Sequence, residues 1–555
     1  MSRYLYEHLF VGHIYFDALS ESEFFMLVRS RTPPGEKIDI IPSVRPYDDP
    51  GVDYFYYRLD HYDRSIVDKT HMPYAFNDKR MARFKALFLE PEYEVNELPS
   101  YEKAVAANPF KAFVAMPAIS RYKFLLDEAH YFISGFIKGP VCRGSIALSA
   151  IDDHFWVLFM DPEKDYISQN SAFLASVSDD LRLPSEQEDK ASILSVWKTY
   201  RDVEKKYFRE KIMFLQQRYP DLSRSVRLDH IWNGDQVNQN AALTVYRHHD
   251  SATVLKGFVG EVPKTGWVMD YPIFERIHYL LVAGFNVYGT VGHQISTRLY
   301  MDFLRIESEL QFIRFFPIHK KIEMHEHWYR GTGETKKALK FVDELGITPL
   351  EPDFEYETND HKVEFFNKVN RHLGAAQHYK DHINLCDVLE VGCETRDMNK
   401  LASRIQDILR KLSDIGGEVT STFPGVTFLR VKVDGTIEHD LVYSLIRNKS
   451  YLNLTSLMPS DKVHIKSEDT LDVVEGFVGA YPSFFLEIDY LELDDFVAHY
   501  EKIDSFEKYE ALVHKYGIRR SNPDFWKSAD WFYEKYKYDN PVNAGIFDLA
   551  RYKNR

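Results

Sequence analysis

Cysteine is scarce in this sequence: Cys142, Cys386 and Cys393 are the only three in 555 residues. An odd, low count predicts no disulfide framework, and the spacing of Cys386 and Cys393 fits neither CxxC nor CxxCH. A four-cysteine zinc site is excluded. Positive charge is also short. The chain has 69 Lys and Arg against 84 Asp and Glu, a formal charge of −15, with no run of five basic residues. Such a balance makes nucleic acid a poor partner. No apolar stretch reaches the length of a membrane span. The longest candidate, Ile277 to Val291, is interrupted by His278, Asn286 and glycines. The opening MSRYLYEHLFVGHIYF lacks the apolar core and small-residue cleavage site of a signal peptide. GxSxG, the P-loop and GxGxxG are missing too, which weighs against the common hydrolases, NTPases and dinucleotide enzymes.

What the chain has in surplus is aromatic residues: 39 Phe, 36 Tyr and 7 Trp, or 15% of the sequence. That surplus suits a large core, and it also suits a site for a bulky apolar ligand. The first residues read as an amphipathic helix with Leu5, Leu9 and Phe16 on one side, followed by extended chain. Residues 117–138 carry a helical pattern that Gly139-Pro140 ends. SIALSAI, Asp152-Asp153 and HFWVLFM read as a hairpin. Ser185 and Glu188 have capping-box spacing and open a long polar helix to about residue 218. Residues 331–420 are mainly helical and polar, with Leu401, Ile405, Ile408 and Leu412 on one face before Gly416-Gly417.

An internal repeat organises the rest. Residues 254–263, VLKGFVGEVP, reappear as VVEGFVGAYP at 473–482, and Met269-Asp270-Tyr271 falls on Ile488-Asp489-Tyr490 at the same offset. Upstream, LTVYRHH matches YSLIRNK after an insertion in the second copy. Leu255, Phe258, Val259 and Val262 have helical spacing, as do Val474, Phe477, Val478 and Tyr481. An alternating strand and a further helix follow in each copy. The expected fold class is therefore α+β and multi-domain, with two β-α-β-α modules and helical connecting regions. The expected divisions are an N-terminal α+β region (1–184), a long helix and connector (185–240), the first repeat with a helical extension (241–330), a helical connector (331–420), the second repeat (421–510) and a C-terminal tail (511–555).

The copies differ where chemistry could sit. The second ends in an ordinary amphipathic helix, Leu493, Phe496, Val497 and Tyr500 opposite acids. The first, PIFERIHYLLVAGF, is apolar on most sides, so it is buried or borders an apolar cavity. On it lies His278, and His293 lies near the start of the next helix, where the helix dipole favours neutral imidazole. Either could bind a metal, accept a proton or simply bond a backbone carbonyl. Glu275 and Arg276 read as a surface or interdomain ion pair. Cys142, in GPVCRG, stands beside Arg143, which could lower its pKa and make it a nucleophile; a buried inert thiol is the alternative. His319, His325 and His327 lie in a segment polar enough to be solvated, and His372, His378 and His382 read as surface. No metal site is predicted.

At YPIFERIHYLLVAGFNVYGTVGHQISTRLYMDFLR the sequence resembles the fatty acid cis/trans isomerases of Gram-negative bacteria. The resemblance continues through SRYLYEHLF, RSRTPPG, RPYDDPGV, FIKGPVCRG, HFWVLFMDP, NQNAALTVYRHHDSA and GFVGEVPKTGWVMDYP, so it spans most of the chain. It implies a periplasmic enzyme that turns cis-unsaturated acyl chains of membrane lipids into trans chains without moving the double bond. It implies association with the membrane surface and a c-type haem attached at CxxCH after a signal sequence. This sequence has neither motif. The resemblance thus leads us to expect either a preceding haem-bearing segment or a haem-less, non-catalytic lipid-binding or scaffold relative. For a haem, His8, His13, His278 and His293 are the candidate ligands, by position in apolar surroundings. For the reaction, His278, His293 and Cys142 are the candidates. An acyl pocket is expected between residues 1–25 and 273–316.

Overall fold

The computed structural model describes residues 1–19, 23–138, 151–186, 193–218, 225–286, 289–330, 350–378, 381–386, 388–389, 400–453 and 463–553. Helices and mixed sheets make up an α+β architecture, as the sequence predicts. The N-terminal helix α1 (Ser2–Leu9) leads into a four-stranded sheet of β1 (His13–Tyr15), β2 (Phe25–Ser30), β3 (Tyr56–His61) and β4 (Pro73–Ala75), in the order β3-β2-β1-β4. Leu9 is the last residue of α1, so Phe16 lies beyond the helix rather than on its face. The helical pattern of 117–138 is two helices, α2 (Ala118–Asp127) and α3 (Ala129–Lys138), broken at Glu128.

The repeat is real, but its first helix is not. After β5 (His154–Phe159) and the long helix α4 (Ile193–Arg218) come β6 (Ala242–His248), β7 (Ser251–Lys256) and β8 (Gly266–Met269). They form a sheet in the order β7-β6-β5-β8, with β5 and β8 parallel and the other pairs antiparallel. The helices α5 (Tyr271–His278), α6 (Val291–Ile313) and α7 (Lys400–Ser413) follow. The second copy comprises β9 (Val426–Lys432), β10 (Leu441–Asn448), β11 (Thr470–Glu475), β12 (Phe484–Asp489) and the helix α8 (Leu493–Tyr500). Its order β11-β10-β9-β12 and its pairing directions repeat those of the first, with β13 (Gly517–Ile518) added at the β12 edge. Each GFVG stretch is the end of a strand and a turn, not a helix. Gly257, Gly260, Gly476 and Gly479 all take positive φ, which a helix does not allow. The apolar spacing of three and four mimics a helical face because strand and turn both point residues inward.

One further reading changes. The first sheet takes β5 from residues 154–159, so the first module is discontinuous in sequence. The other arm of the expected hairpin lies mostly outside the described residues. The long helix is described over Ile193–Arg218, and Glu188, expected to cap it, lies outside the described residues.

The two modules meet through equivalent residues. Tyr246, Val259, Ile446, Val474 and Val478 are buried together at the seam. Across it the Glu261 N–H donates to Asp472 Oδ1 (3.2 Å), and the Gly479 N–H donates to Thr253 Oγ1 (3.1 Å). Thr253 and Asp472 are matching positions of the repeat, and the donors Glu261 and Gly479 lie one position apart in it; with the matched pairs Tyr246/Ile446 and Val259/Val478 at the seam, the modules relate by an approximate twofold.

Candidate functional site

The apolar helix α5 is held at its start by Asp270, whose carboxylate accepts from the Ile273 N–H (3.1 Å). After His278 the helix widens into a π-helical turn, Tyr279–Ala283, and every residue from Tyr271 to Ala283 is buried. Such turns often mark functional sites. The helices α2, α3 and α6 pack against α5, Phe159 of β5 stacks on Phe274, and α1 meets it through Tyr4 and His8.

There the structure brings together two of the predicted histidines. The His8 and His278 rings stack with centroids 4.4 Å apart and planes 7° from parallel. Nitrogens of both serve backbone carbonyls: His8 Nδ1 donates to Tyr4 O (2.7 Å) and His278 Nε2 to Glu7 O (2.9 Å). Burial, with His8 beside it, holds His278 far below the usual histidine range, so it is neutral. His8 Nε2 faces Glu275 Oε1 at 3.5 Å. The Tyr4 hydroxyl donates to Glu275 Oε2 (3.1 Å), and the Tyr279 hydroxyl donates to Glu7 Oε2 (2.5 Å). Arg3 Nε holds the other Glu7 oxygen at 2.7 Å. Burial pushes the Glu7 carboxyl above its ordinary range, against the pull of Arg3 and Tyr279. Phe113, Phe124 and Phe132 pack around Tyr4 and His8.

Glu275 and Arg276 therefore do not form the surface pair that their adjacency predicts: both are fully buried. Arg276 turns the other way, to Glu204 of α4 (3.0 Å) and to Glu307 of α6. Lys211 completes this cluster with Asp270 (2.5 Å) and Glu307 (3.5 Å). Burial raises Glu204 well out of the carboxylate range, so it keeps its proton beside Glu307. Sequence reading missed Glu7, Tyr4 and Tyr279. For Tyr279 the available signal was its place in a stretch apolar all round; Glu7 and Tyr4, on an amphipathic helix, carried none.

The other candidates lie apart. His13 is buried against His71, Nδ1 to Nδ1 at 2.7 Å; burial and that neighbour push it down to about 3. His293 is in the first turn of α6, capped by Thr290, and its Nε2 accepts from the Asn286 N–H (3.0 Å). Cys142 lies outside the described residues. Cys386 is disulfide-bonded, a single bridge where the cysteine count predicts no framework; its partner also lies outside them. His325, expected in a solvated segment, is buried on the helix Ile318–Trp328.

An iron ligand needs an imidazole nitrogen aimed at open space for a porphyrin. His8 and His278 are buried and stack on each other, and His13 is spent on His71. These residues do not fit haem ligation. Among the described residues no group of three or more His, Cys, Asp or Glu could hold a metal ion, and no helix is long and apolar enough to cross a membrane.

Where residues 1–25 meet 273–316, the described side chains form the buried contacts of His8 with His278 and of Glu7 with Tyr279. An apolar cavity of about 500 Å³ lies at the start of α1, with Arg3, Tyr93, Val95, Leu98, Val105 and Phe113 among its lining residues. This is within the range of small-ligand sites. Arg3 joins it to the buried centre, since the same side chain lines the cavity and holds Glu7. At its rim Leu98 is 89% exposed, Val95 50% and Val114 47%. Exposed aliphatic residues around an apolar opening are costly in water and suit a lipid surface.

Residues 1–554 match the sequence model of a family described as fatty acid cis/trans isomerase. No curated protein and no solved structure matches the chain.

Proposed function

Since the chain belongs to the fatty acid cis/trans isomerase family, we propose that it turns cis double bonds of membrane-lipid acyl chains into trans ones without moving them. The family match over essentially the whole chain carries this reading. The apolar cavity beside α1 is the proposed acyl site. Its exposed rim of Leu98, Val95 and Val114 is the proposed point of contact with the membrane surface, because a chain of net charge −15 gains little from anionic lipid by general attraction. A disulfide at Cys386 suits an oxidising compartment, which supports placement in the periplasm.

Rotation about a C=C bond requires its π component to be lost for a moment. What these residues contribute is confinement: Val105 and Phe113 hold the acyl chain away from water, and Arg3 fixes the boundary between the cavity and the Glu7–Tyr279 hydrogen bond. The test uses vesicles of cis-unsaturated phosphatidylcholine, scored for trans chains, and binding of a fluorescent polyene fatty acid as a second readout. Val105→Trp should fill the cavity and weaken fatty-acid binding at least tenfold, with the melting temperature little changed. Unaltered binding in that variant would remove this cavity from the reading. Fatty-acid binding by the unaltered chain without any trans product would favour a non-catalytic lipid-binding role.

A further inference from the structure

The approximate twofold that relates the modules creates two related clefts at their seam. One is formed by the start of β5, the turn after the first GFVG and the end of β10; Asp152, Glu261 and Lys449 are among its lining residues. The other is formed by the start of β9, the turn after the second GFVG and the end of β6; Val426, Tyr481 and His248 are among its lining residues. The scaffold is shared, yet the charge is not. The first cleft mixes five carboxylates with four lysines: Asp152, Glu261, Glu323, Asp360 and Glu468 against Lys264, Lys320, Lys362 and Lys449. The second, of about 280 Å³, carries Arg247, Arg447, Lys449, Arg551 and Lys553 against the single carboxylate of Asp153. So much positive charge at one place in a chain of net −15 is a local reversal of sign.

Two of these cations are the same residue of the repeat. Arg247, in LTVYRHH, and Arg447, in YSLIRNK, occupy matching positions, and both line this one cleft. Both are held rigidly. Arg247 is paired with Asp153 and lies over the Tyr451 ring, 5.4 Å from its centroid. The Arg447 Nη1 donates to the carbonyls of Thr420, Ser421 and Phe423 (3.3, 3.2 and 3.2 Å). Its Nε is buried and has no hydrogen-bond partner. The Asp153 carboxylate is already engaged, by Arg247 and by the Lys449 N–H at 3.0 Å. Lys449 and the exposed Arg551 bring further cationic side chains to the opening. Fixed guanidiniums in a small concave cleft are the standard recognition of tetrahedral oxyanions.

We propose that this cleft binds a phosphate ester anion, either free in solution or as the headgroup of a lipid. The site is separate from the apolar cavity, so it stands or falls independently of the isomerase reading. The test titrates the full chain calorimetrically with inorganic phosphate and with glycerol 3-phosphate. In parallel it measures co-flotation with vesicles of phosphatidylcholine, with and without phosphatidylglycerol. The probe variant is Lys449→Glu with Arg551→Glu; the control, equal in charge change, is Lys37→Glu with Lys527→Glu at exposed sites elsewhere. Saturable binding of the soluble anions, weakened at least tenfold in the probe variant alone, supports the site with a free phosphate ester as ligand. Binding seen only with phosphatidylglycerol vesicles, and lost in the same way, supports it with a lipid headgroup as ligand. Absence of binding to every probe, or equal loss in probe and control variants, overturns it.

Discussion

Thr244 and Ser444 do the same work in two different sheets. Each hydroxyl donates to the carbonyl of the first glycine of its GFVG turn, Gly257 or Gly476, at 2.8 Å. Each accepts the N–H two residues later, from Val259 at 3.0 Å or Val478 at 2.9 Å. Thr244→Val keeps the shape and removes both bonds, stranding buried backbone groups. The expected loss is roughly 1–3 kcal/mol, read as a lower urea midpoint. Ser444→Ala should behave alike, and a change within error for both would show that the turns hold themselves.

Gly260 and Gly435 share a left-handed φ, +80° and +83°, in opposite surroundings. A Cβ at Gly260 would lie 2.0 Å from Tyr246 Oη and 2.2 Å from Asp472 Oδ2, at the module seam; at Gly435 it would meet nothing within 4 Å. Gly435→Ala should cost about 1–2 kcal/mol from backbone conformation alone. Gly260→Ala should cost about 3 kcal/mol or more, since overpacking is added. Equal losses in thermal unfolding would contradict the close packing of the seam.

Arg276 is fully buried between Glu204 and Glu307. Arg276→Met fits the space but leaves Glu204 facing Glu307 with only Lys211, 3.5 Å from Glu307 and shared with Asp270, to offset them. The expected destabilisation is about 3–5 kcal/mol. Adding Glu307→Gln to that variant should recover part of the loss, because it removes the acid that then faces Glu204 without Arg276 between them. A single-variant loss under half a kilocalorie would mean that water reaches the cluster.

Glu261 sets a pH dependence. Burial, then the nearby charges of Asp472 and Asp414, push its carboxyl from an ordinary 4.5 up to about 8. The folded state thus binds this proton more tightly than the unfolded state. Its stabilising contribution is whole below about 4.5 and disappears as pH rises through about 8. Urea midpoints across that window should fall with pH in the unaltered chain and fall less steeply in Glu261→Gln. Parallel curves would assign the effect to other groups.

Much of the architecture could be read from residue patterns. Leu493, Phe496, Val497 and Tyr500 form the buried face of α8, and Ile405 and Leu412 lie on that of α7. The 473–482 repeat correctly announced a second copy of the same sheet. The GFVG turns were misread because apolar spacing alone cannot separate a helix from a strand running into a turn. The two glycines three apart in both copies were the discriminating sign. The buried centre was only half visible. His278 and His8 stood out as histidines in apolar surroundings, yet their stacking depends on packing between segments some 270 residues apart in sequence. Glu275 and Arg276 looked like a pair because they are neighbours. Helical geometry sends adjacent side chains about 100° apart, and their true partners, Tyr4, Glu204 and Glu307, come from three other helices.

The sheets of the two modules share an order but not a path. In the second, β9 and β10 are joined directly through residues 433–440; in the first, β5 and β6 are separated by residues 160–241, which include α4. A tenfold longer connection adds about 2 kcal/mol of loop-closure entropy before the central pair can form. Folding should therefore run against the order of synthesis. The N-terminal half leaves the ribosome first, but the C-terminal sheet closes its hairpin more readily, and its Asp472 then offers a ready-made acceptor to the Glu261 N–H of the slower partner.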